Sequence, residues 1–150
     1  MQKVHVTVNF NQDLKTVFNA IVDHRSFLSG GGLTCRLTQD GKPHKNGQGA
    51  IRKIRTKKYT LTEKITAYEH LKSYDYLITD IAPKVNFTHH NGWIEFTPVD
   101  DHIRVDWHSH FTFNTPIIGR MIGYFVQQQT AKIFLQRLNY VRNNLSKVKL

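Results

Sequence analysis

The sequence predicts an α+β fold: an antiparallel sheet of six or seven strands wrapped around one long C-terminal helix, with two short helices after the first strand. Three observations carry this prediction. Apolar or small residues recur at 118, 122, 125, 126, 130, 134, 138, 141 and 145, in steps of three and four that trace one face of a helix. Ahead of them, segments of alternating polarity are joined by short turn signals, as antiparallel neighbours are. A twisted sheet with one apolar face needs cover, and only the last stretch is long enough to supply it, since about 30 residues at ~1.5 Å each reach ~45 Å.

In chain order, Val4, Val6, Val8 and Phe10 alternate with polar residues and read as a half-buried strand. Asn11 is the expected cap of a helix through about Asp23, with Leu14, Val17, Phe18 and Ile21 on one face. A second short helix follows from His24 to Ser29. Gly30, Gly31 and Gly32 end it and read as a flexible connector; no helix follows them, so they lack the geometry of a phosphate cradle. Strands are expected over about 33–38, 48–56, 59–67, 72–81, 86–97 and 102–113, with turns at Asp40-Gly41, Asn46-Gly47, Lys57-Lys58, Glu69-His70, Pro83 and Asp100-Asp101. The closing helix is expected from Thr115, as cap, and Pro116, at its first position, to Leu145. Its opposite face carries Gln128, Lys132, Gln136, Asn139 and Asn143. Gly119 and Gly123 share a face, which means either tight packing against a strand or room for a bound molecule. The whole, 1–150, reads as one domain, with 146–150 expected as a frayed basic tail.

Composition narrows the classes. With 39% apolar and 11% aromatic residues the chain is globular rather than disordered. No apolar run is long enough to span a bilayer, so an integral membrane protein is not expected, and the first residues lack a signal-peptide core. The single Cys35 excludes an internal disulfide and fits a reducing cytoplasm. The net charge of +10 points either to a solvated basic surface or to an anionic partner, RNA or a membrane surface. Its densest run, Arg52, Lys53, Arg55, Lys57 and Lys58, splits between the two faces of a strand.

A turn centred on Lys57-Lys58 sets Ile54 opposite Leu61 and Arg52 opposite Glu63, on the face that also carries Ala50, Ile65 and Ala67. Arg52 and Glu63 therefore point inward as an opposed pair, either a structural salt bridge or the polar end of a cavity that orients a ligand oxygen. The same counting past Glu69-His70 brings Tyr76 opposite Glu63. Ile103, Val105, Trp107, Phe111 and Phe113 share one face of the last strand, as core or as cavity wall, where Met121 and Phe125 of the helix can meet them. Asp106, His108 and His110 fall on the other face with Arg104, which favours a solvated surface over a metal site. His89-His90 precedes Asn91-Gly92, a bulge signal that leaves its facing open. There is no phosphate loop, nucleotide fingerprint, Gly-x-Ser-x-Gly or paired-cysteine pattern, and no cofactor or metal is expected.

The chain resembles the helix-grip superfamily that includes START lipid-transfer domains, birch-pollen-allergen-like proteins and the polyketide cyclase/dehydrase group. The resemblance rests on the order of elements and on Asn11 to Val22 after the first strand, Gly47-x-Gly49-x-x-Arg52, Leu61-x-Glu63-x-Ile65, Tyr74-x-Tyr76, Gly92-x-Ile94 with Thr97-Pro98, and Val105-x-Trp107 running into Phe111. It implies a helix-grip fold with a deep cavity between sheet and helix. One departure is the glycine run at 30–32, where relatives often carry an aromatic-rich segment, which implies a wider or more mobile entrance. The expected function is binding or transport of a hydrophobic or amphipathic small molecule or lipid. The ligand contacts expected are Arg52, Glu63, Tyr74, Tyr76, Trp107, Phe111, Met121 and Phe125. Two alternatives stand beside it: a cyclase/dehydrase-like enzyme in the same cavity, with Glu63 as base and Arg52 as oxyanion partner, and a basic protein acting through its surface. No catalytic residue is assigned.

Overall fold

The computed structural model describes residues 1–147. Its elements are β1 (Gln2–Phe10), α1 (Leu14–Val22), α2 (His24–Phe27), β2 (Thr34–Gln39), β3 (Ile51–Arg55), β4 (Thr60–Glu69), β5 (Ser73–Ala82), β6 (Phe87–Val99), β7 (His102–Phe113) and α3 (Gly119–Lys147). One seven-stranded antiparallel sheet has the order β1-β7-β6-β5-β4-β3-β2. α1 and α2 carry the chain from one edge strand, β1, to the other, β2. This is the helix-grip arrangement, with α3 lying across the sheet's concave face.

The alternation in β1 buries Val4, Val6, Val8 and Phe10, which pair with Ser109, Trp107, Val105 and Ile103 of β7. α1 buries Val17, Phe18, Ile21 and Val22. Its cap is Asp13 rather than Asn11: the Asp13 carboxylate accepts from the Thr16 N–H at 2.8 Å, and these bonds hold its pKa below the ordinary value. α3 buries Phe134, Leu138 and Val141, and the Phe134 ring stacks on Trp107 with centroids 3.7 Å apart. Phe27 of α2 packs on the same indole at 5.1 Å, so three elements meet at Trp107.

Three local expectations are corrected. α3 begins at Gly119; residues 115–118 form a turn, in which Ile117 takes a φ of 71° that no regular helix allows. At its other end α3 runs through Lys147, so Ser146 and Lys147 are helical, while 148–150 of the expected tail lie outside the described residues. The glycine run is a tight turn, not a flexible connector. Gly30 and Leu33 exchange backbone hydrogen bonds, and the buried Arg137 of α3 donates to the Phe27 and Ser29 carbonyls, both at 2.8 Å. At Gly30, with φ 123°, a side chain would also press on that guanidinium.

On the convex face, Asp106 is buried rather than solvated. It accepts from Thr7 Oγ1 at 2.7 Å and Arg104 Nε at 3.0 Å, with His5 Nε2 at 2.8 Å. Burial acts to raise its pKa, and these hydrogen bonds outweigh that and lower it. His108 stacks between His5 and Trp93, at 4.0 and 4.3 Å. Among the described residues no cluster of three potential metal ligands forms.

Candidate functional site

A cavity of about 450 Å³ lies between the concave face of the sheet and α3, within the range of small-molecule sites. Its walls are mainly apolar: Leu28 and Leu33 around the glycine turn, Ile78 and Phe87 on the sheet, Ile122 and Val126 on α3. Its buried polar groups, Arg52, Glu63, Tyr76, Trp107 and Ser109, come from the sheet floor, while Thr56, Tyr59, Thr115 and Thr130 line it elsewhere.

The β3–β4 hairpin sets the polar band of that floor. Ile54 pairs with Leu61 and Arg52 with Glu63, the register that alternation predicts. Arg52 is 1% exposed and Glu63 4%. Arg52 Nε and Nη2 both reach Glu63 Oε1, at 2.8 and 2.6 Å. No described donor reaches Oε2, and Glu63 lines the cavity, so that oxygen is the carboxylate's free acceptor. Arg52 Nη1 donates to Nδ1 of the fully buried His24 at 2.8 Å. His24 Nε2, 3.0 Å from the Asn46 carbonyl, must then carry the ring proton, and the imidazole is neutral. Burial first, and the Arg52 charge second, hold its pKa well below the ordinary value.

Tyr76 does not stand opposite Glu63. The β4–β5 connection is longer than Glu69-His70: Glu69 pairs with Ser73 across a turn in which Leu71 takes a φ of 64°. The bulge at Ile65/Ala67 shifts the register again, so Tyr76 faces Ile65 and Glu63 faces Ile78, and a second at Thr62/Glu63 follows beyond that pair. The Tyr76 ring instead lies across Gly92, where any side chain would collide with it. It sits beneath the Arg52 guanidinium, 5.0 Å away, and stacks on His89 at 5.6 Å. Its hydroxyl accepts from Trp107 Nε1 at 2.8 Å, and burial raises its pKa.

His89 and Ser109 complete the band. The Ile78 N–H donates to His89 Nδ1 at 3.0 Å, so His89 Nε2 carries the proton and donates to Ser109 Oγ at 2.9 Å. Burial lowers the His89 pKa to about 4. This polarity is the reverse of a base activating a serine. It leaves the Ser109 hydroxyl hydrogen available to an acceptor in the cavity, which Ser109 lines.

Of the sequence-predicted contacts, Arg52, Glu63, Tyr76, Trp107 and Phe111 line the cavity. Tyr74 does not; it lies beneath the floor, its ring edge-on to His24 at 5.2 Å. Its buried hydroxyl has no hydrogen-bond partner among the described residues, and burial pushes its pKa up to about 12. Met121 and Phe125 lie outside, 74% and 64% exposed. The cause is the phase of α3. Gly119 and Gly123 are the residues turned onto the sheet, where a Cβ would come within 2.6 Å of the Phe113 carbonyl oxygen and 2.8 Å of the Gln2 side chain. That phase aims Ile122 and Val126 into the cavity and Met121 and Phe125 away from it. His24, His89 and Ser109 are the site residues that motif reasoning missed. Ser109 shares the parity of Trp107 and Phe111, and His24 continues the α1 stripe one step past Ile21, so both carried a signal in their spacing.

Solved structures share this architecture. A protein of Thermus thermophilus superposes with a TM-score of 0.76 at 14% identity, over 99% of this chain and 100% of its own. A START superfamily protein from Mycobacterium smegmatis gives 0.75 at 10% identity, covering 95% and 98%. A protein from Thermobifida fusca gives 0.72 at 19% identity, covering 99% and 96%. At these identities the likeness is one of fold. A search of curated proteins finds no match. The family model described as polyketide cyclase/dehydrase and lipid transport matches residues 1–144, nearly the full length, and the chain belongs to that family.

Proposed function

We propose that the protein binds an uncharged, largely apolar small molecule or lipid in the cavity between sheet and α3, oriented by the polar band on the floor. The observation that carries this reading is the cavity itself: about 450 Å³, apolar walls, and a few convergent polar atoms. The Arg52–Glu63 pair is neutral overall and offers an acceptor, Glu63 Oε2, while Ser109 offers a donor. A ligand with a hydroxyl at one end and a carbonyl or ether oxygen along its length matches that pattern; a free fatty acid, whose carboxylate would face Glu63, does not. Binding is favoured over turnover because the ionisable groups are committed. Glu63 is held by Arg52, His24 accepts from Arg52, and His89 donates to Ser109.

Trp107 supplies the test, since it lines the cavity while Trp93 stacks on His108 outside. In a Trp93→Phe variant, N-phenyl-1-naphthylamine is expected to quench Trp107 fluorescence saturably, with one site per chain. Val126→Phe, which fills the cavity, is expected to weaken this. Unsaturable quenching, equal in both proteins, would remove the binding reading.

A further inference from the structure

We infer that the open end of the cavity is a docking surface for an anionic lipid bilayer, with the start of α3 as its inserting element. The topology gathers this surface. β3, β5 and β7 run in one direction, so the connections that follow them, 56–59, 83–86 and 114–118, emerge at the same end of the sheet. Each contributes a cavity-lining residue: Thr56 and Tyr59, Val85, and Thr115. β1 runs antiparallel to β7, with Gln2 paired to Phe111, so Met1 emerges there as well.

That end is apolar where a soluble surface is ordinarily polar. Ile117 is 98% exposed, Met121 74% and Phe125 64%, with Ile118, Tyr124 and Met1 exposed beside them. Ile118 in the turn and Met121 and Phe125 on the first two turns of α3 are spaced three and four apart and form one outward stripe. Beyond it the same side turns polar at Gln128 and Lys132. The turn before them projects Ile117 in a left-handed conformation, φ 71°, which sets the side chain outward rather than onto the sheet. A contiguous apolar patch of this kind marks an interaction site.

Charge identifies the partner. Lys57 and Lys58 precede Tyr59, Lys84 stands beside Val85, and Arg120 lies at the start of α3 next to Met121; all four are exposed. The acidic residue at this end is Asp80, which faces Lys84 at 3.8 Å. The connections at the far end carry both signs, with Asp13, Glu69, Asp100 and Asp101 among Lys42, Lys45 and Lys72. Exposed apolar side chains ringed by cations fit the interfacial layer of an anionic bilayer, where the apolar groups enter the acyl boundary and the lysines meet headgroups. RNA would leave the apolar stripe unused. The inference rests on the rim, so it stands or falls independently of what the cavity holds.

The experiment is co-flotation with vesicles of phosphatidylcholine alone and of phosphatidylcholine with about one-third phosphatidylglycerol, a composition that sets the surface charge. Binding to the anionic vesicles is expected to exceed that to the neutral ones by at least roughly tenfold, four exposed cations each adding to the attraction. Met121→Ser with Phe125→Ser, and separately Lys57→Glu with Lys58→Glu, are each expected to lower it severalfold. All four residues are exposed, so the fold survives, which circular dichroism checks. Equal flotation of the wild type and both variants, or no flotation, would overturn the inference. So would light scattering that shows a dimer of the wild type and a monomer of the Met121/Phe125 variant, because the stripe would then be covered by a second copy.

Discussion

Replacing Arg52 by alanine is expected to cost roughly 3–5 kcal/mol of folding stability, the usual penalty for removing one partner of a buried ion pair. The guanidinium is held by more than its salt bridge. It donates to Glu63 Oε1 through Nε and Nη2, donates to His24 through Nη1, and lies over the Tyr74 and Tyr76 rings at 5.9 and 5.0 Å. Its loss strands a buried carboxylate and a buried imidazole acceptor, with no other described side-chain donor to replace the guanidinium. In a chain of this length the penalty corresponds to a fall in melting temperature on the order of 10 °C. Removing both charges, Arg52→Met with Glu63→Met, is expected to recover part of the loss, because no uncompensated charge then remains. Urea unfolding of the three proteins checks this. A loss below about 1 kcal/mol for Arg52→Ala would mean that water reaches the pair and that it behaves like an exposed one.

Mild acid is the second large effect. His24 and His89 are neutral in the folded protein, each with one ring nitrogen accepting from a group that cannot give way: the Arg52 guanidinium for His24 and the Ile78 N–H for His89. Both folded pKa values lie below the ordinary value of 6.5, that of His89 at about 4. As pH falls below 6.5 the unfolded chain takes up protons at these two positions and the folded chain does not. Stability is therefore complete above 6.5 and declines below it, by about 1.4 kcal/mol per pH unit for each histidine. For His89 the decline levels off near its folded pKa of about 4, after roughly 3 kcal/mol. Unfolding free energies measured from pH 8 to 4.5, before most carboxylates titrate, are expected to drop steadily from 6.5. His89→Gln, which keeps an amide near both hydrogen-bond positions, is expected to flatten part of that slope. A profile level down to pH 5 would contradict the neutral assignment.

Much of this architecture is legible in the sequence, for a reason seen best at the β3–β4 hairpin. A two-residue period and a symmetric turn determine both the facing and the partner of each residue, so Arg52 and Glu63 can be paired from spacing alone. The next hairpin carries the same periodic signal, but its turn holds a left-handed Leu71 and its strands hold two bulges. Neither leaves a compositional mark, and counting across them puts Tyr76 opposite the wrong residue. On α3 the apolar pattern locates the helix but not its rotation. Apolar residues at 121, 122, 124, 125 and 126 cover more than half the circumference of the first turns, and the choice of inward face is made by the two glycines and what they touch. Arg137 carries no signal at all, because nothing about an arginine in a helix announces that carbonyls at Phe27 and Ser29 will come within its reach.

The most direct test of the cavity's role is native mass spectrometry of the freshly purified protein, before and after organic extraction, with the extract identified. The expected result is an adduct of one uncharged, mainly apolar molecule per chain, carrying a hydroxyl, that extraction removes and re-addition restores. The contradicting result is a bare chain mass throughout, with no adduct formed on exposure to sterols, long-chain alcohols, quinones or aromatic polyketides.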